Sequence, residues 1–331
     1  MRSGKYLLAA AILASPAVAS AALFSENFES DVSADWNINR HSNDTEAIFG
    51  WDYSTAGIPA APGSTTTRGL KFTANNNVDN ANTNLATALT VSPKNQNFTD
   101  TSTGYRVRFH MWINANGPFP AGGTGSTEVM TAGIGYNNTT VNRQSGLSTT
   151  ITGSGAWFAV NGEGGATRDF QAYKNASEQF AESLQFAAGN SSSGTGNAHD
   201  HLNSYYQTRF PGQAPPSAQS AAHASQTGNL ADGAVGFAWR LVEIAVQGTT
   251  ARWSIDGHTI ATLDTQIGNT FPLTGNISLG YSDPYNSLSS NTAMSFGLID
   301  NLEVSLIPEP TSLALLGVGA LGLLARGRRT A

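Results

Sequence analysis

Tyr105-Arg106-Val107-Arg108-Phe109-His110-Met111-Trp112-Ile113 decides the fold. Apolar side chains recur at every second position: Tyr105, Val107, Phe109, Met111 and Ile113. Between them stand Arg106, Arg108, His110 and Trp112. A period of two puts the sets on opposite faces of a strand, one buried and one turned outward. The same pattern predicts strands over 23–28, 69–73, 128–136, 156–161, 235–246, 250–255, 259–263, 276–281 and 294–306. Asp256-Gly257 falls between two of them and reads as a two-residue hairpin turn, which needs φ > 0. Many strands with little helix give an all-β antiparallel β-sandwich.

One stretch breaks the pattern. Residues 168–229 are polar and carry Ser191-Ser192-Ser193-Gly194-Thr195-Gly196 and Pro215-Pro216. A helix is expected over 176–188, with Phe180, Leu184 and Ala188 on one stripe. The whole reads as one long, partly helical insertion between strands, either a functional lid or a surface excursion.

The two ends are of another kind. Arg2 and Lys5 precede an apolar run over 6–18 and then Ala17-Val18-Ala19-Ser20-Ala21, the layout of a secretory signal peptide occupying 1–21. At the other end Pro308, Glu309 and Pro310 precede an uncharged apolar run over 313–325, closed by Arg326, Arg328 and Arg329. That run is shorter than the ~20 residues of a relaxed bilayer span. The basic stop favours the cytoplasmic side and leaves the body outside. Residues 307–331 resemble the PEP-CTERM sorting tail of Gram-negative bacteria. The resemblance implies that an exosortase recognises and removes the tail after transient inner-membrane anchoring as a transmembrane helix. It also implies export to the cell surface, outer envelope or extracellular matrix, where such tails accompany exopolysaccharide production.

Setting both ends aside leaves the body at 22–306. It keeps 12 of the 17 basic and 22 of the 23 acidic side chains, a net charge of about −10. An acidic surface argues against nucleic acid as a partner, because phosphates need a basic patch. There is no cysteine, which excludes disulfides, zinc thiolates, iron–sulfur clusters and a thiol nucleophile. Charged residues are only 12%, with Gly, Asn, Ser and Thr in their place, as in extracellular β proteins.

Four stretches of the body carry a second resemblance. Trp239-Arg240-Leu241-Val242-Glu243-Ile244-Ala245-Val246 and Ala251-Arg252-Trp253-Ser254-Ile255-Asp256-Gly257-His258-Thr259-Ile260 look like central strands of concanavalin-A-like jelly rolls, a likeness shared with laminin-G-like and glucanase-like domains. Phe24-Ser25-Glu26-Asn27-Phe28-Glu29 and Phe296-Gly297-Leu298-Ile299-Asp300-Asn301-Leu302-Glu303-Val304 resemble the first and last strands, which would pair.

Glucanases of that fold resemble one another in a Glu-x-Asp-x-x-Glu strand, which sets nucleophile and acid on one face. Here Glu128-Val129-Met130 has Met130 where the Asp would stand, and Glu26 and Glu29 are wrongly spaced. No Gly-x-Ser-x-Gly or P-loop is present, and Gly162-Glu163-Gly164-Gly165 reads as a turn. No catalytic residue is assigned. His199-Asp200-His201 offers two metal-type side chains without a third nearby in sequence, and reads as a polar loop. Asp283 and Asn286 could give calcium its oxygens, although Asp-Pro and Asn also make turns unaided. The expectation is no cofactor and no metal, with calcium as the alternative.

Sugar binding needs aromatic faces. Trp112 stands on the outward face of its strand, and Tyr205 and Tyr206 form the expected exposed pair in the insertion. Trp36, Trp51 and Trp157 lie near turns. The expected function is polysaccharide binding or structuring without catalysis. The alternatives are a diverged glycan-active hydrolase or lyase using Asp169, Glu178 or Glu182, and a structural or adhesive matrix protein.

Overall fold

A computed structural model describes residues 22–75, 87–99, 103–144, 150–180, 185–189 and 194–307. The leader and the Pro308–Arg329 motif lie outside them. In chain order the strands are β1 (Ala22–Glu26), β2 (Trp36–Arg40), β3 (Thr45–Asp52), β4 (Arg68–Ala74) and β5 (Thr87–Pro93). They continue with β6 (Tyr105–Asn114), β7 (Val129–Tyr136), β8 (Ala156–Asn161), β9 (Phe170–Lys174) and β10 (Ser177–Gln179). The last are β11 (Arg240–Gln247), β12 (Thr250–Ile255), β13 (His258–Asp264), β14 (Asn276–Asp283) and β15 (Phe296–Leu306). Two short helices, α1 (Ser204–Gln207) and α2 (Ser217–Ala222), interrupt them.

The strands form two antiparallel sheets. The first runs β13-β12-β11-β6-β15-β4-β3, with β1 also on β15; the second runs β10-β9-β8-β7-β14-β5-β2. The chain crosses repeatedly between sheets, giving a sandwich of jelly-roll type. β6 is central, bonded to β11 and β15. Its inward set, Tyr105 to Ile113, is at most 2% exposed and meets Met130, Phe158, Leu279 and Tyr281 of the second sheet in one core. Each such side chain contributes about 1.5–3 kcal/mol on burial.

The hairpin forms where its sequence predicts. Asp256 and Gly257 have φ of 51° and 78°, and Asp256 fastens the turn to β11 by accepting from Leu241 N at 2.9 Å. β1 pairs with β15, so the first and last strands of the body meet, Ala22 opposite Ser305.

The insertion differs from expectation. Its first part is not a helix: residues 170–174 and 177–179 are β9 and β10, at the edge of the second sheet. Phe170 and Ala172 of β9 face the core at a period of two, and the pairing of β10 with β9 outweighs local helix propensity over 177–179. Phe180 is exposed, and Leu184 lies outside the described residues. The remainder is a packed wedge. Phe186 bridges to Ala261 of β13, and Tyr206 stacks on Phe170 with centroids 3.9 Å apart. Residues 211–239 then roof one end of the first sheet's outer face. Gln219 Nε2 donates to Asn114 Oδ1 at 2.8 Å and Phe237 N to Ile113 O at 3.0 Å. Beneath this roof Trp112, Phe119, Leu230, Phe237, Phe296 and Leu298 form a second apolar cluster. The roof also delays β11, which begins at Arg240 and not near 235.

Candidate functional site

The outer face of the second sheet holds the best-formed site. In β9 the alternation that buries Phe170 and Ala172 sends Gln171 and Tyr173 outward; in β8 it sends out Trp157 and Asn161. The rings of Trp157 and Tyr173 stack at 3.7 Å and 5°. The Tyr173 hydroxyl donates to Gln171 Oε1 at 2.8 Å, and Gln144 Nε2 donates to the same oxygen.

Gln144 arrives on the connection between β7 and β8, whose described parts lie over the sheet. Asn142 N donates to Thr90 Oγ1 at 2.9 Å and Asn142 Nδ2 to Ser278 Oγ at 3.1 Å. Small outward residues permit this approach; a Cβ on Gly133 would stand 2.7 Å from that of Trp157. Toward the sheet's end Thr127, Gln144, Asn161, Arg168, Gln171 and Tyr285 line a cleft. Tyr285 is 39% exposed. Arg168 pairs with Glu178 and packs over the Phe180 ring.

Behind the cleft stands a buried Asp–His group. Asn161 Nδ2 donates to Asp169 Oδ1 at 3.3 Å. Asp169 Oδ2 accepts from His201 N at 2.9 Å and faces His201 Nδ1 at 2.8 Å. Asp200 Oδ1 lies 3.3 Å from the same Nδ1. Burial opposes the charge on His201, but the bond to Asp169 and the two carboxylates outweigh it and raise its pKa. Burial raises Asp169, against the pull of His201.

Among the described residues these three are the group close enough to hold a metal, with ligand atoms within 4.8 Å of one another. The fold does not set the two imidazoles of His199-Asp200-His201 side by side, and both are buried where a polar loop was expected. His199 turns away, its Nδ1 2.8 Å from Phe170 O and its ring against Phe186, and Asp169 takes its place from 32 positions upstream. The Nδ1 that would ligate is already bonded to Asp169, so the group suits an imidazolium held by carboxylates.

Three further acids are buried at this end of the sandwich. Glu163 accepts from Ser126 Oγ at 2.5 Å and Thr127 Oγ1 at 2.7 Å. Asp283 accepts from Asn75 Nδ2 and from Tyr285 N, both at 2.7 Å. The second bond is the turn that Asp-Pro favours. Burial, then the charge of Asp283, pushes Glu128 well up; burial lifts Asp283 to about 7. Met130 beside Glu128 is a core side chain, so β7 presents no carboxylate pair on one face.

The sequence-predicted aromatics are not brought together. Trp112 is 4% exposed under the roof, because the insertion covers the outer face it was expected to offer. Tyr206 is fully buried in the main core, with its hydroxyl on Ala198 O at 2.6 Å. Tyr205 is half-buried, bonded to Thr259 O at 2.6 Å and covered by Arg209. Asp169 and Glu178 are engaged as above, and Glu182 lies outside the described residues. Sequence reasoning missed Gln144, Gln171, Tyr173 and Tyr285; the alternation over 170–174 was the available signal for two of them.

Comparison with solved structures gives distant likenesses. A Bacillus subtilis protein of unknown function with a galectin-like fold is 9% identical, TM-score 0.44, over 86% of this chain and 96% of that one. Carbohydrate-binding module CBM66 from Bacillus subtilis is 7% identical, TM-score 0.30, over 66% and 81%. The exoplasmic/lumenal domain of VIP36 in its Ca2+/Man2-bound form is 8% identical, TM-score 0.38, over 86% and 89%. The ligands in those names belong to those proteins. No curated protein matches the chain. Among the described residues no helix is long and apolar enough to cross a membrane. The C-terminal end is recognised directly: residues 306–329 match the family profile of the PEP-CTERM protein-sorting motif, so this chain carries that sorting signal at the close of its β-sandwich.

Proposed function

We propose that this chain is an exported, non-enzymatic protein that binds or structures extracellular polysaccharide. In this reading a leader over 1–21 is removed and the 22–306 body is delivered to the surface, outer envelope or matrix of a Gram-negative bacterium. An exosortase removes the 307–331 tail after it has briefly anchored the chain in the inner membrane. No cofactor is required.

The observation that carries the reading is the cleft on the second sheet. The amides of Gln144, Asn161 and Gln171 and the Thr127 hydroxyl line it; each makes an internal bond and keeps further donor or acceptor capacity for sugar hydroxyls, and Tyr285 offers an exposed ring. The neighbouring acids support binding over hydrolysis, since Asp169, Glu163 and Asp283 are each turned to internal partners.

A glycan array, followed by titration of any hit, tests it. Gln171→Ala and Tyr285→Ala should each weaken binding about tenfold, with no reducing ends released. Reducing-end release abolished by changing Asp169 or Glu178 would replace the reading with a hydrolase or lyase. Self-association without glycan binding would replace it with an adhesive matrix protein.

A further inference from the structure

A groove crosses the outer face of the first sheet at the end where the tail departs. It is lined by Arg106, Glu243, Gln247, Arg252, Thr262 and Ile307. Ile307 is the last described residue, held by its N–H to Gly104 O at 3.1 Å. Ladder pairing sets Ser305, Arg106, Ala245, Arg252 and Thr262 in one row across β15, β6, β11, β12 and β13. At ~4.8 Å per strand that row is about 19 Å long.

Charge distinguishes this groove from the rest of an acidic body. Among the described residues Arg106 donates through its Nε, to Ser305 Oγ at 3.3 Å. The Arg252 side chain is 53% exposed and lies 3.8 Å from Glu243, whose other oxygen is taken by Arg108 at 3.0 Å. Two guanidinium groups therefore face outward with spare donors.

The next residues of the chain are Pro308-Glu309-Pro310-Thr311-Ser312, ahead of the apolar run. Ile307 and Glu309 both precede proline, which favours extended backbone. Five such residues at ~3.1 Å each span about 16 Å, close to the row's length. Glu309, two residues past Ile307, falls within reach of Arg106 and Arg252.

We propose that this groove is the docking site of the chain's own Pro308–Ser312 segment, with the Glu309 carboxylate held by Arg106 and Arg252. The sorting motif is thereby kept against the body until a processing enzyme draws it out. The inference rests on the sorting reading of the tail, but the test below reads docking without exosortase, so its failure leaves that reading standing.

The test is cleavage of the full chain, in detergent micelles, by a prolyl endopeptidase acting after Pro308 or Pro310. Each rate is divided by that of the free 307–312 peptide of the same sequence. Glu309→Gln and Arg252→Ala, the latter at an exposed site, should each raise the normalised rate about threefold or more. The double variant should be no faster than Glu309→Gln alone, because without the carboxylate Arg252 has no partner left to lose. Unchanged rates in the singles, or effects that multiply in the double, would overturn the proposal. Protection that appears only on adding anionic vesicles would overturn it too, in favour of a lipid headgroup as the occupant.

Discussion

His201 Nδ1 lies 2.8 Å from Asp169 Oδ2, across 32 positions of sequence, and both side chains are buried. This contact ties the turn after β8 to the wedge that closes the sandwich edge. His201 has a folded-state pKa raised above 6.5, so the stability it contributes is full below that value and is lost as pH rises through the folded value. His201→Ala should cost about 1–3 kcal/mol at pH 6 and clearly less at pH 9, measured by urea unfolding. An equal cost at both would show that the charge is not what holds the wedge.

The acid group sets a second dependence with the same sign. Asp283, lifted to about 7, keeps its proton in the folded state and stabilises at low pH; that contribution disappears as pH climbs from about 4 through 7. Asp283→Asn should therefore be neutral near pH 3.5 and stabilising by about 3–4 kcal/mol at pH 8.5. Chemical unfolding of both proteins at the two pH values checks it.

Trp112 should act as core and not as a sugar platform. Trp112→Ala should cost about 3–5 kcal/mol, because it empties the cluster under the roof. Glycan affinity of the folded fraction should be unchanged. Thermal unfolding and titration measured on the same sample separate the two effects.

Tyr173 should matter to the cleft through its hydroxyl. Tyr173→Phe keeps the stack on Trp157 and removes the bond that orients Gln171. Stability should fall by about 1 kcal/mol, and glycan affinity about threefold, if Gln171 must be held still to bind. Calorimetric titration reads the second quantity. Affinity equal to that of the unchanged chain would place Gln171 outside the binding surface.

Much of the sandwich was legible because strands carry their burial in a period of two. β8 and β12 lie where the alternation puts them, and Asp256-Gly257 turns because few other pairs take φ > 0 twice. β2, β3 and β5 passed unnoticed. On β5 all seven residues are buried, Ser92 and Thr90 included, so polarity does not alternate there. The helix over 176–188 was read from a stripe; strand pairing overrode it at 177–179.

The site was much less legible. Gln144 and Gln171 share a hydrogen bond only because a connection folds back over its own sheet. Trp112 is turned to the outside of its strand, yet is buried, since a segment more than 100 residues later roofs it.

By itself the sequence determined what is written locally: strand alternation, the hairpin dipeptide, the missing cysteines and the sorting motif at 306–329. Each of these is a property of neighbours along the chain. Only the tertiary structure decided which outward faces remain open, which acids meet a histidine, and where the tail leaves the body. Those outcomes depend on packing between distant segments, and no periodicity in one segment encodes what will come to cover it.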